Sequence, residues 1–331
     1  MFVWIYLTAF VTTAAGTIFE SHNTLTNFVV DKNTGELYVG AFDFIYKLDN
    51  NLAITAQRDV TCTPECPSKD PSDNVNQILL VYTFKNTTKI LACGNVGEGA
   101  CLTWDTHAFT QAKSFVKLGI VSVQPKDPSF AFVDSVKDAI FFANTKLGIS
   151  SSGKEFIDFN VLKMKDLSRI VRLELSPKRP KTKYLFGDIV GKFRYIFTVT
   201  DEGSQVVRFC ETYLDATGKG SIITSMEIPL KCVGDNNQNF IHLQMGKIFH
   251  PGSELAKDFG ISVNESIVVG VFRKSKSSSE YAICAYSFQQ IYKFFGLNIK
   301  KCFNGKGTIL NKYTKQPCAM VSTLSILIIY M

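Results

Sequence analysis

The sequence has no long apolar run, no catalytic signature and little helical periodicity. Its uncharged apolar stretches sit at the two ends, Phe2–Val11 and Ala319–Met331. Neither reaches the ~20 residues that a helix needs to cross a bilayer. The four histidines, His22, His107, His242 and His250, have no metal-ligand spacing such as HExxH, and there is no GxSxG nucleophile turn. The acidic residues are scattered, with no pair set out as a general acid and base. An enzyme, a resident metal and a cofactor are therefore not expected. With only two tryptophans, a Trp-Asp dipeptide occurs once, at Trp104-Asp105, which excludes a WD40 array. Glycine (22) and proline (10) are too few for a low-complexity linker. The formal charge of +7 is spread along the chain rather than gathered on one helix, so nucleic acid is not an expected partner.

What is present is a globular composition, 46% hydrophobic with 27 phenylalanines, and an odd number of cysteines, nine. Residues 1–16, MFVWIYLTAFVTTAAG, read as a secretory signal peptide, apolar and then small-residued near Ala15 and Gly16; the alternative is a buried first strand. Export would place the cysteines in an oxidising compartment. The sequons Asn86-Thr87-Thr88 and Asn264-Glu265-Ser266 agree with that setting and mark Asn86 and Asn264 as glycosylation candidates. The apolar tail, 319–331, is expected to lie outside the fold, as the ragged end of an incomplete chain or, alternatively, as a lipid-anchor signal with a poor spacer.

Between the ends the chain reads as short strands in clusters. Asn27–Val30, Glu36–Ala41 and Phe44–Leu48 follow one another, with a turn at Asp31–Gly35. Gln77–Phe84, Lys89–Cys93 and Ala100–Trp104 make a second cluster, and Phe130–Asp134, Ala139–Asn144 and Gly148–Ser150 a third. Tyr184–Phe186, Tyr195–Thr200 and Gln205–Cys210 form a fourth, and Phe240–Gln244, Ser266–Phe272 and Tyr281–Tyr286 a fifth. Their β-branched and aromatic residues suit pleated, half-buried surfaces. Clusters start at 27, 77, 130, 184 and 240, a period of 50 to 56 residues, which is that of a β-propeller blade rather than of a sandwich. Two short helices are expected: Ser253–Phe259, capped by Ser253 and stopped by Gly260, and Phe288–Phe295, followed by Gly296.

Three further motifs have the look of binding sites. Gly148–Lys154 matches a phosphate loop up to its last position, where Glu155 replaces the hydroxyl that would bind Mg²⁺; a hairpin loop fits better. The basic runs Lys178-Arg179-Pro180-Lys181-Thr182-Lys183 and Arg273-Lys274-Ser275-Lys276 read as solvated loops or, more sharply, as a weak site for an acidic glycan.

From Leu25 to about Lys315 the chain resembles the N-terminal sema domain of plexins, the cell-surface receptors for semaphorins. The resemblance is carried by Leu25–Val30, Thr34–Ala41 and Ile45–Leu48, by Asp73-Asn74-Val75-Asn76 with Gln77–Val81, and by Leu91-Ala92-Cys93-Gly94 with Cys101. Arg208-Phe209-Cys210, Ile283-Cys284-Ala285-Tyr286 and Cys302–Gly307 continue it, whereas about 105–205 matches loosely.

The resemblance implies an all-β, sema-type β-propeller over 17–318, seven-bladed in the family, with about five blades and a fragment here. The chain is then C-terminally incomplete, its open strand edges invite association, and the segment around Thr17–Glu20 helps to complete the last blade. It implies disulfides Cys62–Cys66, Cys93–Cys101, Cys232–Cys284 and Cys302–Cys318, with Cys210 left unpaired. The implied function is an extracellular, non-enzymatic platform that binds a semaphorin in cell and axon guidance, at the plasma membrane when part of a full receptor. A secreted, truncated decoy that binds semaphorin or receptor without signalling is the alternative. Association with a second plexin copy is a further implied partnership.

Overall fold

The structure, a computed structural model, describes residues 18–60, 74–95, 99–107, 109, 114–116, 120–122, 129–146, 156–174, 182–209, 213–214, 220–221, 225–304, 308–311 and 314–317. Both ends of the chain, the Gly148–Lys154 motif and most of the Lys178–Lys183 run lie outside these residues.

Five antiparallel sheets follow one another along the chain. The first is β1 (Leu25–Val30), β2 (Leu37–Ala41), β3 (Phe44–Leu48) and β4 (Ile54–Asp59), in that spatial order. The second is β5 (Asn76–Phe84), β6 (Thr87–Gly94), β7 (Cys101–Asp105) and β8 (Ser114–Val116). The third is β9 (Ser129–Asp134), β10 (Ala139–Lys146), β11 (Phe156–Lys163) and β12 (Arg169–Glu174). The fourth joins β13 (Lys183–Val190), β14 (Phe193–Thr200) and β15 (Gly203–Phe209) to β18 (Ser225–Leu230), with the small hairpin β16 (Tyr213–Leu214) and β17 (Gly220–Ser221) between them. A two-stranded ladder, β19 (Cys232–Val233) and β20 (Asn239–Phe240), leads to the fifth sheet, β21 (His242–Phe249), β22 (Ile267–Arg273) and β23 (Tyr281–Ser287). A final hairpin is β24 (Thr308–Asn311) with β25 (Thr314–Pro317).

The leading strands β1, β5, β9, β13 and β21 touch in succession, so the sheets stand side by side like blades. Alternation along each strand explains why they stack. Tyr38 and Ile45 of the first sheet meet Leu79, Ile90 and Trp104 of the second. The other face of the second sheet, with Ile78, Leu91 and Cys93, meets Ile140, Phe142 and Leu162 of the third. Phe141 and Val161 turn the opposite way onto Tyr184, Ile196 and Val207 of the fourth. Tyr195, Phe197 and Val206 then meet Leu243, Val268 and Phe272 of the fifth. A sheet buried on both faces needs apolar side chains of both parities, hence unbroken runs such as Ile140-Phe141-Phe142.

The expected clusters coincide with these sheets, but each of the first four carries a further outer strand: β4, β8, β12 and β18. The third strand of the third sheet is Phe156–Lys163, well beyond Gly148–Ser150. The turn after β1 forms as expected: the Gly35 amide donates to the Asp31 carbonyl at 2.8 Å, and Gly35 takes φ 76°, which a side chain would resist. Among the described residues two α-helices are defined over their length. In α1 (Ser253–Phe259) the cap residue is Gly252 rather than Ser253, and no side chain caps it. In α2 (Phe288–Phe303) the helix runs through Gly296, because Phe288, Ile291 and Phe295 pin it to the core between the fourth and fifth sheets.

The outermost faces of the series differ from the shared ones. On the fifth sheet Met245 is 64% and Ile283 73% exposed, and on the first sheet Phe28 is 71% exposed. The first sheet's outer face is partly covered by Phe19, whose ring lies 5.3 Å from that of Tyr46; Asn23 donates to the Tyr46 hydroxyl at 3.0 Å.

Candidate docking surface

Among the described residues two disulfides staple the strands. Cys93 and Cys101 are directly opposed on β6 and β7, their Cα atoms 4.0 Å apart, and both are fully buried. Cys232 of the ladder is joined to Cys284 of β23, with Cα atoms 5.7 Å apart. Cys62, Cys66, Cys210 and Cys318 lie outside the described residues, as does the side chain of Cys302 in α2. Asn86 sits exposed at the tip of the β5–β6 hairpin, where Lys85 and Asn86 have φ 48° and 64°, the geometry of a two-residue turn. Asn264 is exposed in the loop after α1. A glycan on either would meet no packed surface.

The Asn74-Val75-Asn76 segment joins the first two sheets. The Asn74 amide donates to Asp43 Oδ1 at 2.7 Å, and its side-chain Nδ2 donates to the Val60 carbonyl at 2.6 Å. The Val75 amide donates to Asn95 Oδ1 at 2.6 Å, and Asn27 Nδ2 reaches the Asn76 carbonyl at 3.2 Å. Asn74 and Asn27 spend side-chain donors on backbone carbonyls inside the protein, so the motif serves the joint between the sheets.

In the Arg273–Lys276 run, Lys274 pairs with Glu280 at 2.9 Å and Lys276 pairs with Asp201 of the β14–β15 turn. Arg273 donates to the Lys276 carbonyl at 2.9 Å. Local partners thus occupy much of this charge. Beside it, burial and the neighbouring Lys276 hold the His242 imidazole below its ordinary pKa, with Asp201 pulling the other way. Asp188 on β13 is shifted upward by burial, against a backbone hydrogen bond from Ile189 and the charges of Lys32 and His250. Among the described residues no cluster of His, Cys, Asp and Glu could hold a metal, and no helix is long and apolar enough to cross a membrane.

The surface with the composition of an interface is on α2, which the sequence announces only as a short helix before Gly296. Arg208 of β15 anchors its base. The guanidinium lies 4.3 Å from the ring centre of Phe295, 4.4 Å from that of Phe193 and 5.6 Å from that of Tyr292, a cation–π clamp between helix and sheet. Tyr195 packs edge-on to Phe288 at 4.8 Å. Opposite this base, Phe294 is 61% and Leu297 56% exposed, with Tyr292 at 55% on the shoulder. Lys293, Lys300 and Lys301 are exposed among them, and the helix has no acidic residue. The exposed positions 294 and 297 fall one turn apart, a pattern visible in the sequence once the helix is known to pass Gly296.

With this geometry established, the fold is that of a sema-type β-propeller. The chain is similar to the extracellular region of plexin A4 (domains 1 to 8), with a TM-score of 0.71 at 20% identity, over 91% of this chain and 38% of that one. A chain of the complex of Drosophila plexin A with semaphorin 1b gives 0.59 at 17% identity, over 92% and 57%. The extracellular domains 1–2 of Drosophila semaphorin 1a give 0.59 at 15%, over 92% and 59%. The chain thus spans less than two thirds of each of these structures. No protein-family model matches it.

Proposed function

We propose that the chain is the ligand-binding sema domain of a plexin-type receptor, acting extracellularly in semaphorin–plexin signalling. The observation that carries this reading is the fit to the plexin A4 extracellular region, at a TM-score of 0.71 over 91% of this chain. The buried Cys93–Cys101 and Cys232–Cys284 bridges and the exposed sequon asparagines support an oxidising, extracellular setting. The sheets form a rigid, non-catalytic platform, and binding energy on such a platform comes from a few aromatic and cationic anchors within a polar rim.

The test is immobilised chain, secreted from eukaryotic cells with both bridges verified by mass mapping, against a panel of semaphorin extracellular regions. Saturable binding to at least one semaphorin is expected. No binding to any of them by correctly bridged chain would overturn the reading. Transmembrane and cytoplasmic sequence in a longer transcript would favour the receptor, and its absence from every transcript would replace the receptor with the secreted decoy.

A further inference from the structure

We infer that the outer face of α2 is a docking surface for a protein segment that is acidic and carries an apolar anchor. Three observations converge. The first is the uncovered Phe294 and Leu297, one turn apart on a helix whose other side is fully engaged by Phe288, Ile291 and Phe295. The second is charge: Lys293, Lys300 and Lys301 flank these residues with no acid on the helix to neutralise them.

The third is Gly296. A glycine in a helix interior is unfavourable relative to alanine by ~1 kcal/mol. Close packing normally explains it, yet a Cβ built on Gly296 meets nothing within 4 Å. No neighbour among the described residues requires a glycine there. Gly296 lies one turn after Tyr292 and one turn before Lys300, so the helix backbone is bare between those two positions, on the flank of the face rather than beneath Phe294.

The chemistry selects the occupant. A sulfated glycan would satisfy the lysines and leave Phe294 and Leu297 in water. A second copy would bring the same lysines face to face, in a chain of net charge +7. An anionic membrane would suit a basic amphipathic helix, but anionic lipid is concentrated in the cytoplasmic leaflet, away from a disulfide-stapled domain. An acidic segment with Phe or Leu at its centre meets both needs: charge steers the encounter and the apolar anchor retains it.

The experiment uses the full secreted chain and a fluorescein-labelled synthetic peptide rich in Glu with one Phe and one Leu, read by anisotropy. A poly-Glu peptide, a heparin fragment, phosphatidylserine vesicles and sedimentation of the chain alone are run beside it. The variants are Phe294→Ser with Leu297→Ser, Lys293→Glu with Lys300→Glu, and Gly296→Gln. The expected result is saturable binding of the Phe/Leu peptide, weakened about tenfold or more by each variant, with the thermal midpoint of Gly296→Gln no lower than that of the parent. Gly296→Gln binding as tightly as the parent would overturn the inference. So would equal affinity for poly-Glu, or a loss in the variants of heparin binding, vesicle binding or self-association in place of peptide binding. This inference does not depend on the receptor reading, since a chain that ignores every semaphorin can still bind the peptide through α2.

Discussion

The Arg194 guanidinium on β14 donates from Nε to Oδ2 of Asp134, the last residue of β9, at 3.1 Å, and from Nη2 to the same oxygen. The pair crosses the seam between the third and fourth sheets, with side chains only 7% and 1% exposed. Phe141 lies beneath the guanidinium, 5.9 Å to its ring centre. The ion pair and the aromatic stack thus hold two sheets at one point.

Arg194→Ala strands the Asp134 carboxylate in that seam, and removing one partner of a buried pair costs about 3–5 kcal/mol. The double replacement Arg194→Met with Asp134→Leu removes both charges and is expected to recover most of the loss. Urea denaturation of the three proteins checks this. Equal midpoints for the single and double variants would show that the stranded carboxylate is not what destabilises the seam.

The two described disulfides close loops of very different length, with sequence separations of 8 and 52. In the chain-entropy account the shorter loop contributes about 2.5 kcal/mol and the longer about 4 kcal/mol. Cys232→Ala is therefore expected to lower the thermal midpoint and secreted yield more than Cys101→Ala. Calorimetry of both variants decides it, and equal shifts would refute the ranking.

Gly94 ends β6 against the joint between the first two sheets. A Cβ there would fall 1.9 Å from Asn74 Oδ1, while the Asn74 Nδ2 is bonded to the Val60 carbonyl. Gly94→Ala must displace Asn74 and break that bond, a loss of about 1–3 kcal/mol. Gly252→Ala, where nothing lies within 4 Å, is the control and should cost only the preference of a helix cap for glycine over alanine, under about 1 kcal/mol. Matching melting curves for the two variants would exclude the clash as a constraint.

His242 gives the stability a pH slope. Burial, reinforced by Lys276, depresses its folded pKa, whereas in the unfolded chain it titrates near ~6.5. As pH falls through ~6.5 the unfolded state takes up the proton first, so stability falls with it and levels off only below the folded pKa. Replacing His242 by Gln should flatten the difference in denaturation midpoint between pH 7.5 and pH 5.5. An unchanged difference would assign the slope to other groups.

Legibility in the sequence tracked burial. Ile140-Phe141-Phe142 and Tyr195-Ile196-Phe197 sit in strands covered on both faces, and their unbroken apolar character marked them as strands. The outer strands were hidden. Ile54–Asp59 (ITAQRD) and Arg169–Glu174 (RIVRLE) carry the charges with which an edge strand discourages further pairing, and so the sequence pattern leaves them unassigned. Helix α2 was half legible: Gly296 marks a stop by propensity, and only the anchoring of Phe288, Ile291 and Phe295 in the core overrides it. The Asn74-Val75-Asn76 motif stood out in the sequence, but its role as the joint between sheets depends on Asp43, Val60 and Asn95, which no local pattern links to it.

Taken alone, the sequence determined that the chain is a succession of small antiparallel meanders about 50 residues apart, because strand alternation, turn residues and period are local properties. Tertiary structure alone decided which faces meet, that Arg194 finds Asp134 across a seam, and that Arg208 clamps α2 with Phe294 and Leu297 turned to solvent. Those outcomes join residues far apart in the chain, and only the stacking of one sheet on the next brings them within a few ångströms.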